Sequence, residues 1–78
     1  MIKSFNIHEL QDLLVKKDPR IAYYSKHYRT PAIQIYEEFW IAGKRGHAGD
    51  FICFDYMNMP YIVEQNAMIT MYDYCQER

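Results

Sequence analysis

The chain has 78 residues, half of them apolar or aromatic and about a quarter charged. That length allows one small core, burying roughly 60% of the unfolded chain's surface, and the composition excludes a disordered polymer. A net charge of −1 argues against a dedicated, strongly basic nucleic-acid binder, and no apolar run reaches the ~20 residues of a membrane span.

The N-terminus lacks the basic, apolar and small-residue order of a signal peptide. Two cysteines, Cys53 and Cys75, are too few for a secreted disulfide framework, so free thiols in a reducing cytosol are expected. Charge is segregated along the chain. Residues 16–29 hold Lys16, Lys17, Arg20, Lys26 and Arg29 against Asp18, whereas residues 50–78 hold Asp50, Asp55, Glu64, Asp73 and Glu77 against Arg78. A fold that keeps those segments apart presents two faces of opposite sign.

In chain order, the first element expected is a helix over residues 7–17. Asn6 supplies the N-cap, Glu9 completes a capping box, and Phe5 and Leu10 sit at the positions of a hydrophobic staple. Ile7, Leu10, Leu13 and Leu14 then form one apolar stripe. Lys16 and Lys17 suit the negative end of the dipole, and Asp18 before Pro19 disfavours continuation.

Residues 20–30 are compatible with a short strand or an irregular stretch. Residues 31–42 read two ways. As a helix they have Thr30 as cap, Pro31 at the first position and Gly43 at the stop. As a strand they place Ile33, Ile35, Phe39 and Ile41 on one face and Gln34, Tyr36, Glu38 and Trp40 on the other, with Glu37 breaking the alternation; the β-branched and aromatic content favours this reading. Residues 43–49 contain every glycine and are expected to form a flexible hairpin tip. Residues 51–54 read as a buried strand, 55–58 as a turn, and 60–64 as a return strand with Pro60 at its start or on an edge. Asn66 is expected to cap a helical turn through Ala67, Met68 and Ile69, and residues 72–75 to form a last strand. The fold class expected is α+β: one domain, 1–78, with an N-terminal helix packed on a small antiparallel β-sheet or partly open barrel, β-rich over about 20–75.

Tyr28-Arg29 and Pro31 ahead of a strand ending near Trp40, then Gly49-Asp50-Phe51-Ile52, Met59-Pro60-Tyr61-Ile62, and a closing Ile69 to Tyr72 give residues 26–75 a recognisable rhythm. This half resembles small phage and prophage proteins of the PGDYG-like type. It departs from their pattern in the shortened spacing between Trp40 and Gly49, and in having Met68 and Ile69 where a Phe precedes the closing Tyr. The resemblance implies a small β-rich fold, the strand reading of residues 32–41 and a phage source; it implies no activity.

The chemistry-bearing residues point away from catalysis. His8, His27, His47, Cys53 and Cys75 do not form the close pairs of a structural zinc site, so neither metal nor cofactor is expected. Asp50 and Asp55 flank a strand, where each carboxylate serves a turn. No Ser, Thr or Cys lies in a recognisable nucleophile elbow, and so small a domain leaves little room for a substrate pocket. The glycine segment lacks the order of a phosphate-binding P-loop, although Lys44 and Arg45 with Asp50 offer a minor nucleotide-sensing reading.

Two binding surfaces remain. Tyr23, Tyr24, Lys26, Tyr28 and Arg29, extended by Lys44 and Arg45, alternate rings and cations as single-stranded nucleic acid requires. Tyr56, Met57, Met59, Tyr61, Tyr72 and Tyr74 concentrate the two residue types best suited to protein contacts. Thirteen aromatic side chains exceed what so small a core hides, so an exposed patch is expected. The leading expectation is therefore a non-catalytic cytosolic accessory protein, phage-encoded, that binds and modulates a host protein, with a homodimer as one way to cover the patch. The alternative is an RNA- or single-strand-binding module.

Overall fold

The computed structural model describes residues 3–75. In order these form β1 (Lys3–Phe5), α1 (Ile7–Val15), β2 (Ala22–Ser25), β3 (Arg29–Gln34), β4 (Phe39–Ile41), β5 (Lys44–Gly46), β6 (Phe51–Phe54), β7 (Pro60–Val63), α2 (Gln65–Met71) and β8 (Asp73–Cys75). A five-stranded sheet runs β7-β6-β3-β2-β8 and a three-stranded sheet runs β1-β4-β5. All pairings are antiparallel except β1 with β4, which is parallel. The fold is α+β with an N-terminal helix, as expected; the five-stranded sheet is wholly antiparallel, the smaller sheet is mixed, and the two do not close into a barrel.

The capping box forms as the sequence implies. The Asn6 side chain accepts from the His8 N–H at 2.8 Å while the Asn6 backbone N–H donates to Glu9 Oε1 at 3.2 Å. The helix stops at Val15, two residues before the expected end, because Lys17 takes a left-handed φ of 54°. Its N–H then donates to the Leu14 carbonyl and that of Asp18 to the Leu13 carbonyl, a Schellman closure without the usual glycine.

Residues 31–42 are neither one helix nor one strand. They are split between β3 and β4, which lie in different sheets, with the chain turning a corner at 35–38. Ile33, Ile35, Phe39 and Ile41 are nonetheless all buried in one cluster with Leu10, Ile52 and Phe54. A chain that folds over at a corner keeps the same side inward, so the alternation identified the core face although it missed the break. Phe5, Leu13, Leu14, Ile21 and Ile62 complete this core between the five-stranded sheet, α1 and the smaller sheet. A second cluster of Ala32, Phe51, Cys53 and Met68 lies on the sheet's other face beneath α2.

The glycine segment is not a loose tip. Ala42 and Gly43, both at positive φ (48° and 79°), make a two-residue hairpin turn between β4 and β5. Gly46 is buried opposite Phe39, where a Cβ would stand 2.1 Å from the ring's Cζ. The next turn leads into Asp50, whose carboxylate accepts from the His47 N–H at 2.9 Å and from the Gln65 N–H at 3.1 Å. Gln65 opens α2, so the helix begins behind Glu64 and not at Asn66: Asp50, beside it across the open end of the β6–β7 hairpin, satisfies a first-turn N–H that no local side chain caps.

Candidate functional site

The strongest candidate is the turn between β6 and β7, because it holds large apolar side chains in water on a fixed backbone. Asp55 organises it. Its Oδ1 accepts from the Met57 N–H at 2.9 Å and the Met59 N–H at 3.0 Å, while its backbone N–H donates to the Met59 carbonyl at 3.1 Å. Asn58 takes the left-handed conformation (φ 62°) that Asn tolerates well, and its N–H donates to the Asp55 carbonyl. From α1, Gln11 Nε2 donates to the Asn58 carbonyl at 3.0 Å, tying the turn to the helix. The result leaves Tyr56 85% and Met57 66% exposed. Beside it, Met59, Pro60, Tyr61 and Ile62 face Ile7, Ile41, Ala42 and Lys44 across a groove of about 260 Å³, at the open seam between the two sheets.

The six residues expected to contact protein do not form one patch. Tyr56, Met57 and Met59 share the turn; Tyr72 and Tyr74 lie by α2 and β8, at the sheet edge opposite β7. Tyr61 joins the two regions, being half-buried over the second core and hydrogen-bonded through its side chain to Tyr72. Burial first, then that bond, holds the Tyr61 phenol well above its ordinary range. Tyr74 is largely exposed and meets Tyr24 edge-on at 5.4 Å. Burial, followed by the neighbouring Tyr74, raises the Tyr24 phenol as well. Exposed Ile69 and Met71 enlarge this second region and carried no signal in the sequence beyond their apolar character.

The ring-and-cation stretch is divided by strand alternation. Tyr23 and Pro31 are register partners on one face, where the Arg29 guanidinium stacks 4.3 Å from the Tyr23 ring centroid. Tyr24 lies on the other face against Phe51. Lys26 reaches the Tyr72 ring at 5.9 Å, and Tyr28 is half-exposed. Lys44 and Arg45 belong to the smaller sheet, where Arg45 pairs with Glu38. Lys16 pairs with Asp12 at 2.8 Å. Arg20 grips Asp18 through Nε and a terminal nitrogen at 3.0 and 3.2 Å, and those bonds hold the Asp18 carboxyl below its usual range. Of the cations in and around this stretch, Lys16, Arg20 and Arg45 are thus paired with carboxylates.

Asp50 and Asp55 both serve turns, as their positions beside the strand imply. Cys53 is wholly buried, with Sγ 3.9 Å from Met68 Sδ, and burial pushes its thiol up to about 12. Such a thiol is a core side chain and not a nucleophile at neutral pH. Among the described residues, no group of three or more His, Cys, Asp or Glu side chains comes together to hold a metal.

No family model, curated protein or solved structure matches the chain.

Proposed function

We propose that the protein is a small non-catalytic binding module that docks on another protein through the β6–β7 turn. The observation that carries this reading is the pairing of exposure with rigidity. Tyr56 and Met57 stand in water on a turn fixed by Asp55, Asn58 and Gln11. A preorganised turn avoids the ordering entropy that a mobile loop loses on binding, and Tyr and Met contribute large contact area. A phage source, suggested by the resemblance of residues 26–75, belongs to the same proposal, as do a host protein as partner and action in the cytosol.

The test is a quantitative pull-down from host lysate with the wild type, a Tyr56→Ala/Met57→Ala variant, and Tyr36→Ala, which removes an equally exposed ring elsewhere. The expected outcome is a partner retained by the wild type and Tyr36→Ala and lost by the double variant. Identical profiles for all three remove the turn from the function. The nucleic-acid alternative is supported by Tyr28, Lys26 and Tyr74, which line the α2 side of the sheet with rings and a cation. It requires binding to oligonucleotides that weakens steeply with salt, and absence of any anisotropy change at low salt ends it.

A further inference from the structure

The edge of β7 is self-complementary, and we infer that two copies of this chain pair there, antiparallel, to form a homodimer with one continuous ten-stranded sheet. The parity of the ladder decides which backbone groups are on offer. The Asp55 N–H donates to the Met59 carbonyl on the β7 side, and the Ile35 N–H donates to the Asp50 carbonyl on the β3 side. With Cys53 opposite Tyr61 and Phe51 opposite Val63, alternation turns the backbone groups of Tyr61 and Val63 toward β6. Those of Pro60, Ile62 and Glu64 face outward from the sheet edge.

Pro60 has no N–H, which ordinarily blunts an edge. In an antiparallel pair centred on Ile62, however, Pro60 falls opposite Glu64 of the second copy. The Glu64 carbonyl, the group that Pro60 fails to serve, already accepts the Met68 N–H at 2.9 Å inside α2. The missing donor thus meets the one acceptor that needs none. Ile62 exchanges both of its bonds with its own copy across the two-fold axis, and each Glu64 N–H donates to a Pro60 carbonyl.

Charge selects the same register. Residues paired across strands share a face, so the second copy's Glu64 side chain lies on the Pro60 and Ile62 side of the sheet, at the groove that Lys44 also lines. Among the described residues, neither Lys44 nor Glu64 makes an ion pair within its own chain. Glu64 also makes no side-chain capping bond to α2. Two symmetric Lys44–Glu64 contacts result. A shift of two residues in register separates Lys44 from Glu64 and sets Pro60 against a group that needs its N–H. The dimer carries its two Tyr56 turns at opposite ends of the joined strands, which suits two-point docking.

Sedimentation velocity over a concentration series, with the full chain, tests the pairing. The wild type is expected to dimerise. Ile62→Pro, which removes the central outward donor, is expected to be monomeric while circular dichroism shows it folded. Lys44→Glu and Glu64→Lys are each expected to weaken dimerisation at least about tenfold, and the double charge reversal to restore it. Tyr56→Ala is expected to leave the dimer intact, which separates this interface from the docking turn. A wild type that stays monomeric at every concentration overturns the proposal. So does a dimer that neither Glu64→Lys nor the double reversal alters. If Ile62→Pro unfolds, the charge reversals alone decide the question.

Discussion

Gly46 shows how much one hydrogen atom decides in this fold. Its neighbour across β4 and β5 is the Phe39 ring, which fills the space a Cβ needs. Phe39 is itself fully buried at the centre of the first core, so the ring has nowhere to retreat. Gly46→Ala is expected to lower stability by about 2 kcal/mol, read as a shift in the denaturant midpoint. In the sequence, Gly46 is indistinguishable from Gly43, which serves only a turn; the difference lies in what stands opposite. Lys17 is the converse case, a left-handed position occupied without a glycine, and the charge pattern that placed it at a helix end said nothing of its conformation.

At the scale of elements, Asp50 couples three of them. Its carboxylate holds the turn that follows β5, its backbone carbonyl accepts from Ile35 after β3, and its second oxygen receives the first N–H of α2. Asp50→Ala leaves two inward-facing N–H groups without acceptors, and a loss of about 2–3 kcal/mol is expected. Hydrogen exchange is expected to accelerate in α2 more than in α1, since only α2 depends on this carboxylate for its start. Protection lost equally from both helices would show that Asp50 acts on global stability alone. Asp55 performs the parallel service for the Tyr56 turn. The two carboxylates were legible as turn residues from their flanking of a strand. That Asp50 reaches fifteen residues on to Gln65 was not, because the contact exists only once β6 and β7 have paired.

Over the whole molecule, burial of acidic side chains sets a dependence on alkaline pH. The Cys53 thiol is raised from 9.0 to about 12 in the folded chain, so the unfolded chain loses its proton first. This contribution is fully present below pH 9 and declines between 9 and about 12, by up to about 1.4 kcal/mol per pH unit. The raised Tyr61 phenol acts in the same direction above pH 10. The melting temperature is therefore expected to fall as pH rises from 9 to 11, and Cys53→Ala to flatten that fall. An unchanged slope in Cys53→Ala would assign the effect to the tyrosines. The same burial predicts that thiol reagents modify Cys53 only at the rate of unfolding.

Features that depend on neighbours in the chain are legible in the residues: the capped first helix, the buried strand at Phe51, the turn at Asp55, and the inward face of residues 33–41. Each follows from local hydrogen bonding or from apolar periodicity, which survive any arrangement of the rest. Tertiary structure alone decided the break between β3 and β4, the parallel seat of β1, and the division of the Tyr23–Arg29 stretch between two faces. It also decided the open seam that leaves β7 as an edge. Those features depend on which strands pair, and pairing is chosen by the burial of two cores at once, a condition that no single segment carries.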